Sequence, residues 1–265
     1  MIIHSISADF RSADIERTPG KFRIVHVGTP LSNILENIAL NRLNYAIENN
    51  NKLNKRQLGF TANRSRHDLI ARTIEIIYKA RKQYPGNQEK ILSFDIEGAF
   101  DHVDQHDLIN KIHIQLGDSK IKHWLTDFIY NRSIELRYNG IKTSKRYKLY
   151  KGVPQGSPLG PVLWNFVISD IDEGISGNNG LELLMYADDL YLIDTGIGHK
   201  YGLQANINRI TNRLNNINLK ISPEKSSIMY VKKRNQQKIT KQEIKIYGQE
   251  MLAIGELSVG KEQRQ

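Results

Sequence analysis

Apolar residues recur along this chain at two spacings, one typical of helices and one typical of buried strands. Helical spacing predicts helices over about 31–47, 69–80, 105–115, 121–129 and 203–216. Short apolar runs and turn signals predict strands over 91–96, 133–138, 145–151, 181–185, 190–193 and 226–231. The loop 152–158 should open a further helix over 159–171. This order of elements predicts a mixed α/β (α+β) fold, with an antiparallel sheet and helices on one face.

Residue types add local detail to this pattern. In the first helix, one face should carry the apolar residues Leu35, Ile38, Ala39, Leu43, Ala46 and Ile47. Ser119 is the expected N-cap of helix 121–129. Asn139-Gly140 is a hairpin signal between two strands. Residues 233–265 begin with Lys233-Arg234 and read as a polar tail that we expect to be poorly ordered.

Candidate chemistry lies in the string Tyr186-Ala187-Asp188-Asp189, between two apolar runs that predict a hairpin. Asp95 ends another apolar run. Carboxylates beside buried strands are costly unless their charge is cancelled. Mg²⁺ prefers carboxylate oxygens together with substrate phosphates, so three such residues favour a two-metal phosphoryl-transfer site. Taken singly, each feature is more often a solvated turn or a helix cap.

Composition narrows the class of partner. The 265 residues are 39% hydrophobic, enough for a core, and carry a net charge of +10 with a pI near 9.6. A basic chain favours a polyanion such as nucleic acid, although a merely soluble basic protein has the same charge. Cysteine is absent, which excludes disulfides and thiolate zinc sites. No apolar stretch or signal-peptide pattern indicates a membrane, so we expect an intracellular protein, with nucleus or cytoplasm left open.

Five segments follow one another along the chain: Gln57-Leu58-Gly59-Phe60, Phe94 to Val103, Gly152 to Pro158, Tyr186 to Asp189 and Leu219 to Lys225. In this order they resemble segments of reverse transcriptases, most closely those of non-LTR (LINE-type) retrotransposons. Tyr-Ala-Asp-Asp alone is a weak signal, but the ordered set is highly specific.

The resemblance implies a catalytic metal site. Asp95, Asp188 and Asp189 would bind two Mg²⁺ ions, for which Mn²⁺ can substitute, and the backbone carbonyl of Ile96 would be a further ligand. Adjacent strand residues point to opposite faces, so the resemblance leaves open whether Asp189 binds metal directly.

Further residues match substrate-binding positions of the family. Phe100 would exclude a 2′-hydroxyl, and Gln155 and Gly156 would line the nucleotide pocket. Lys225 would stand near the leaving pyrophosphate as a catalytic ammonium, and Arg64 would reach the triphosphate. Taken alone, each has a structural reading: a core ring, a turn before a helix, or surface charge.

The family often has arginine directly after Gly-Phe, where this chain has Thr61, so Arg64 matches with a shifted position.

The resemblance implies a right-hand polymerase palm over 91–232, partial fingers over 23–90 and an irregular segment over 1–22. We expect an RNA-directed DNA polymerase that uses an RNA template, a DNA primer and dNTPs. The alternatives are a truncated, non-catalytic nucleic-acid-binding remnant, a maturase-like RNA-binding protein or an intron-encoded reverse transcriptase. Oligomeric state stays open.

Overall fold

A computed structural model of the chain describes residues 3–7, 26–50, 54–117, 119–138, 141–175, 180–196, 202–232 and 243–258. The helices in these ranges are α1 Pro30–Asn50, α2 Arg66–Gln83, α3 Ala99–His102, α4 Gln105–Leu116, α5 Ile121–Tyr130, α6 Gly160–Val167 and α7 Gly202–Asn216. The strands are β1 Ile3–Ser7, β2 His26–Gly28, β3 Glu89–Ile96, β4 Ser133–Tyr138, β5 Ile141–Lys148, β6 Leu181–Tyr186, β7 Asp189–Asp194, β8 Ile221–Lys232, β9 Lys245–Ile246, β10 Gln249–Glu250 and β11 Leu252–Ser258. Within the described ranges, no helix is both long and apolar enough to cross a bilayer.

The chain divides into two units, and each is made from two separate stretches. The first unit comprises Met1–Leu53 and Gly98–Ile168, and the second comprises Asn54–Glu97 and Ser169–Gln265. The assignment of 23–90 to fingers and 91–232 to a palm stays a prediction.

A five-stranded sheet forms the second unit, in the order β11-β8-β3-β7-β6. β3 pairs antiparallel with both β7 and β8, and β6 pairs antiparallel with β7, so the predicted antiparallel sheet is confirmed for these four strands. β11 joins the edge of β8 in parallel, which makes the sheet mixed.

Both faces of this sheet are buried at its centre. Leu192 and Ile193 are adjacent on β7, point to opposite faces, and are each fully buried. On one face, Ile77 of α2 packs against Ile193 and against Leu184 and Val231 of the neighbouring strands. The sequence predicted helices on one face of the sheet, and α2 lies on such a face. Burial of the opposite face was not part of that prediction.

In the first unit, the prediction for the buried face of α1 is confirmed for Ala39, Leu43 and Ile47 and wrong for the other three residues. Leu35 and Ile38 are 45% and 48% exposed, and Ala46 is only partly buried. Ser32 and Glu36 complete the buried stripe instead. The buried stripe includes a carboxylate because Glu36 has hydrogen-bond partners inside the unit, and paired polar groups can be buried at little cost.

Several predicted boundaries in the first unit also shift. Its four strands lie in the order β2-β1-β4-β5. β5 starts at Ile141 rather than 145, and the Asn139-Gly140 turn lies outside the described residues. Ser119 does not cap α5, because the cap position falls on Lys120, which makes no side-chain cap bond. α6 ends at Val167, four residues before the predicted end at Ile171.

The prediction of a poorly ordered tail is wrong for 245–258, which contain β9, β10 and β11. β11 pairs with β8 from Leu252↔Ser227 to Ser258↔Lys232. Leu252 and Ile254 are 62% and 55% exposed, so backbone pairing to a distant strand orders this segment more than side-chain burial does.

A buried ion pair joins two strands of the second unit's sheet, at the end where β3 begins and β7 ends. Lys90 of β3 and Asp194 of β7 are register partners, and their Nζ and Oδ2 atoms are 3.0 Å apart. Their side chains are 4% and 3% exposed. Charges this deep are tolerated only when paired, because losing one partner leaves the other desolvated without compensation.

We therefore expect Lys90→Met to lower the free energy of unfolding by about 3–5 kcal/mol. The double variant Lys90→Met/Asp194→Leu should recover much of this loss, since it leaves no unpaired charge. Denaturant unfolding measures both effects. Lys79→Met is the matched control, because the Lys79–Glu75 ion pair is exposed and should change stability little. Equal losses for Lys90→Met and Lys79→Met would contradict the argument.

Candidate active site

The β6–β7 hairpin places the Asp188-Asp189 pair at one end of the five-stranded sheet. Tyr186 and Asp189 are register partners, so Ala187 and Asp188 form the turn between them. Ala187 has a φ of 58°, in the left-handed region that a residue with a Cβ rarely adopts. The turn is therefore a strained, tight reversal that depends on its surroundings.

Asp95 lies directly opposite Asp189. The two are register partners in the antiparallel β3–β7 ladder, an arrangement that brings Cβ atoms on one face to about 4.5–5.5 Å. Asp188 lies in the turn rather than in a strand. The rule that adjacent strand residues point to opposite faces of a sheet therefore does not apply to Asp188 and Asp189. The structure thus brings the three predicted carboxylates to the same end of one sheet.

Electrostatics at this end raise the pKa of Asp189 above its ordinary value. Burial is the largest cause, and the charges of Asp188 and Asp95 add to it. A hydrogen bond from the Tyr191 hydroxyl, 3.4 Å from Asp189 Oδ2, and the charge of Arg66 act in the opposite direction but do not prevail. The positive charge near Asp189 is therefore too small to offset burial and the two neighbouring carboxylates.

Lys225 of β8 is the cation that pairs with Asp95. Its Nζ lies 3.6 Å from Asp95 Oδ2, but the two side chains are 70% and 36% exposed, so solvent screens the pair. The Asp95 backbone N–H donates to the buried Ser226 Oγ at 3.3 Å, where the β3–β8 ladder shifts register. Ile96, the predicted carbonyl ligand, ends β3 with a buried side chain.

The two arginines of the basic run differ in their contacts. Arg64 Nη1 donates to the backbone carbonyls of Lys55 and Gln57, at 2.9 and 2.6 Å, and so braces the loop before α2. Arg66 begins α2, and its guanidinium lies 5.5 Å from the centre of the Tyr186 ring. Arg66 is therefore the arginine whose charge acts on Asp189, while a triphosphate contact by Arg64 stays a prediction.

Phe100, Gln155 and Gly156 lie in the first unit, where Phe100 and the loop 152–158 are bonded together. The Phe100 ring stacks on Trp164 with centroids 5.5 Å apart, and its carbonyl accepts from Val153 N at 2.8 Å. Gln155 is half-buried, and Gly156 is exposed with a φ of 98°. The predicted pocket residues are thus neighbours, although their contact with a nucleotide stays a prediction.

A buried polar network lies next to this loop and was not predicted from the sequence. Glu36 accepts hydrogen bonds from Ser32 Oγ at 2.9 Å and from Ser157 Oγ, which follows Gly156. Arg132 is almost fully buried and donates to the Gly152 carbonyl. Burial lowers the pKa of Arg132 to about 10, while the charge of Glu36 opposes the shift. The sequence signal for this network is Glu36, a charged residue at helical spacing from the apolar residues Ala39 and Leu43.

The carboxylates of Asp95, Asp188 and Asp189 are oxygen ligands of the kind that a divalent cation prefers. Their side chains, however, do not converge on one point. In the described part of the chain, no three acidic or histidine side chains are grouped tightly enough to hold a metal ion. Asp95 faces Lys225, and Asp189 accepts from Tyr191. Burial, and to a smaller extent the charges of Asp188 and Asp95, nevertheless disfavours the Asp189 carboxylate, and a bound cation would relieve this cost.

Comparison with known proteins identifies the class. The sequence model of the family described as "Reverse transcriptase (RNA-dependent DNA polymerase)" matches residues 12–251, so this chain belongs to the reverse transcriptase family. The resemblance to enzymes of non-LTR retrotransposons is also confirmed, at a distant level.

Particular relatives show how distant the match is. The Pol polyprotein of the type-1 retrotransposable element R2 from Popillia japonica is 26% identical over 69% of this chain and 26% of its own length. The RNA-directed DNA polymerase of the mobile element jockey from Drosophila funebris is 28% identical over 62% of this chain and 18% of its own length. The chain thus spans about a quarter or less of these relatives.

Solved telomerase structures share the fold. Apo telomerase from Candida tropicalis, truncated from its C-terminal domain, superposes with a TM-score of 0.62, at 14% identity over 90% of this chain and 52% of that one. A complex of the Candida tropicalis protein with a telomeric RNA fragment gives 0.64 at 13% identity over 86% of this chain and 41% of that one. At these identities the likeness shows the fold alone.

The raised pKa of Asp189 predicts how stability changes when its charge is removed. Between the ordinary aspartate pKa and the raised one, the folded protein binds more protons than the unfolded chain, so stability falls as pH rises across this window and stays lower above it. At neutral pH without divalent cations, Asp189→Asn should therefore raise the melting temperature. The gain should vanish at a pH below the ordinary pKa, where Asp189 is protonated in both states. Thermal melting across pH measures this.

Asp68→Asn is a control of opposite sign. Hydrogen bonds from Ser65 lower the pKa of Asp68, so its charge stabilises the fold at neutral pH and its removal should lower the melting temperature. A drop for Asp189→Asn as well would show that its carboxylate is compensated in the folded state.

Proposed function

We propose that this chain is an RNA-directed DNA polymerase that adds dNMP to the 3′ end of a DNA primer on an RNA template. The pairing of Asp95 with Asp189, beside Asp188, in a chain of the reverse transcriptase family is the observation that carries this proposal. The net charge of +10 supports a nucleic-acid substrate.

Asp95, Asp188 and Asp189 would hold two Mg²⁺ ions, with the Ile96 carbonyl as a further ligand. Bound there, the ions would favour ionisation of the primer 3′-hydroxyl and neutralise charge on the triphosphate. The chain's own residues supply the rest. The Lys225 ammonium, beside Asp95, would stabilise or protonate the departing pyrophosphate. Arg66 would add positive charge near Asp189.

In the first unit, Phe100 and the loop carrying Gln155 and Gly156 would hold the incoming dNTP. Gly156 presents backbone without a side chain, which permits close approach, and the Gln155 amide can hydrogen-bond sugar or phosphate. The stack of Phe100 on Trp164 fixes the ring that would exclude a ribose 2′-hydroxyl.

A non-catalytic, nucleic-acid-binding remnant is the second candidate. It is favoured by the lack of a converged metal cluster in the described ranges and by the Lys225–Asp95 ion pair. This protein would keep the basic charge and bind RNA without extending a primer.

Primer extension on an RNA template with dNTPs and Mg²⁺ separates the two candidates. We expect the wild-type chain to extend the primer and Asp188→Asn to lose at least about a hundredfold in rate, because metal stabilisation of the transition state amounts to several kcal/mol. Asp127→Asn removes one exposed carboxylate from α5 and is the matched control, with unchanged activity. RNA binding without extension by the wild-type chain would establish the remnant instead.

Substitution of Phe100 tests nucleotide selection. Phe100→Val should raise the use of rNTP relative to dNTP about tenfold or more, because the smaller side chain admits a 2′-hydroxyl. Single-nucleotide incorporation with dNTP and rNTP gives the ratio. Phe128→Val disrupts the other described ring stack of this unit, on Trp124, and should leave the ratio unchanged even if stability falls. An unchanged ratio in Phe100→Val would assign the ring to the core alone.

A further inference from the structure

The segment 56–59 contacts the turn that carries the catalytic carboxylates. Leu58 N donates to the Met185 carbonyl at 2.8 Å, and Met185 N donates to the Arg56 carbonyl at 3.0 Å. Gln57 thus forms an isolated parallel bridge with Met185, at the open edge of β6. The segment acts as a short extra strand that ends where the turn begins.

Gln57 connects this segment to the turn through its side chain. Its Nε2 lies 3.3 Å from the Ala187 carbonyl, and its Oε1 accepts from the Gly59 backbone N–H at 2.9 Å. The Gly59 N–H can only donate, so it fixes the amide orientation and directs the Nε2 donor at Ala187. Gln57 is 1% exposed, so water does not compete for these bonds.

Gly59 shows how closely the segment approaches the turn. A Cβ on Gly59 would lie 2.0 Å from the Ala187 nitrogen and 2.8 Å from the Tyr186 carbonyl carbon. Only glycine permits this contact of backbone with backbone. The segment is itself braced, because Arg64 donates to the Gln57 carbonyl and Arg56 forms ion pairs with Asp172 and Glu182.

We propose that Gln57 is a positioning residue for the metal-binding carboxylates. The Ala187 carbonyl belongs to the peptide that leads into Asp188, so the Gln57 amide fixes the plane of that peptide and the direction in which Asp188 leaves the turn. It also stabilises the left-handed Ala187, which is unfavourable on its own. This inference rests on the proposed function, because it assumes that the carboxylates bind divalent cations.

Mn²⁺ binding, followed by electron paramagnetic resonance, tests the inference apart from catalysis. Gln57→Met keeps the side-chain volume but loses both hydrogen bonds. We expect its Mn²⁺ dissociation constant to rise about tenfold or more, as for other outer-shell partners of metal ligands. Primer extension by this variant should need correspondingly more Mg²⁺, with its rate partly restored at saturation.

Gln88→Met is the matched control. Gln88 Nε2 donates to the Val231 carbonyl at 3.0 Å, so this change removes the same kind of bond from the opposite end of the same sheet. Its Mn²⁺ affinity should equal that of the wild type. Gln57→Asn, which keeps the amide but shortens its reach, should weaken Mn²⁺ as well and serves if Gln57→Met does not fold.

The outcomes separate this inference from the proposed function. Unchanged Mn²⁺ affinity in folded Gln57 variants, or an equal loss in Gln88→Met, would overturn the positioning role while leaving the polymerase intact. A wild-type chain that binds no Mn²⁺ at a site sensitive to Asp188→Asn would overturn both. A selective loss in the Gln57 variants, with similar melting temperatures, would establish the role.

Discussion

The partial burial of a carboxylate beside two others, at one end of a sheet, is the constraint on which the rest of the second unit depends. The register of β3 against β7 places Asp95 opposite Asp189, and the hairpin turn adds Asp188. Burial, together with the charges of Asp188 and Asp95, raises the pKa of Asp189, so the fold must supply stability elsewhere. It does so with a sheet buried on both faces, while the Lys90 and Asp194 charges compensate each other at the far end of the same two strands.

Prediction from the sequence succeeded where the determining interactions are local. The β6–β7 hairpin was predictable because two apolar runs flank a turn four residues long, and α4 was predictable because Leu108, Ile109 and Ile112 repeat at helical spacing and are all buried. The carboxylates were predictable as candidates for the same reason. Their pairing was not, because register between β3 and β7 joins residues far apart in the chain and depends on packing of the whole sheet.

The errors have physical causes of two kinds. Hydrophobicity alone placed Leu35 and Ile38 inside, whereas the hydrogen bonds that Glu36 accepts from Ser32 and Ser157 turn another stripe of α1 inward. The strand β11 was missed because its order comes from pairing with β8 and not from its own apolar pattern. In each case one partner, Ser157 for Glu36 and β8 for β11, lies outside any local window of sequence.

Two neighbouring arginines show why charge counts alone do not define a site. The capping box of Ser65 with Asp68 starts α2 between them, so Arg64 turns back to loop carbonyls while Arg66 lies over Tyr186. Arg64 thereby donates to the carbonyls of Lys55 and Gln57, and Lys225 is largely exposed to solvent. The charge of Arg66 and the hydroxyl of Tyr191 together fail to offset burial and the two neighbouring carboxylates at Asp189. A carboxylate in this environment is stabilised by any ligand that brings positive charge, and a bound cation is one such ligand.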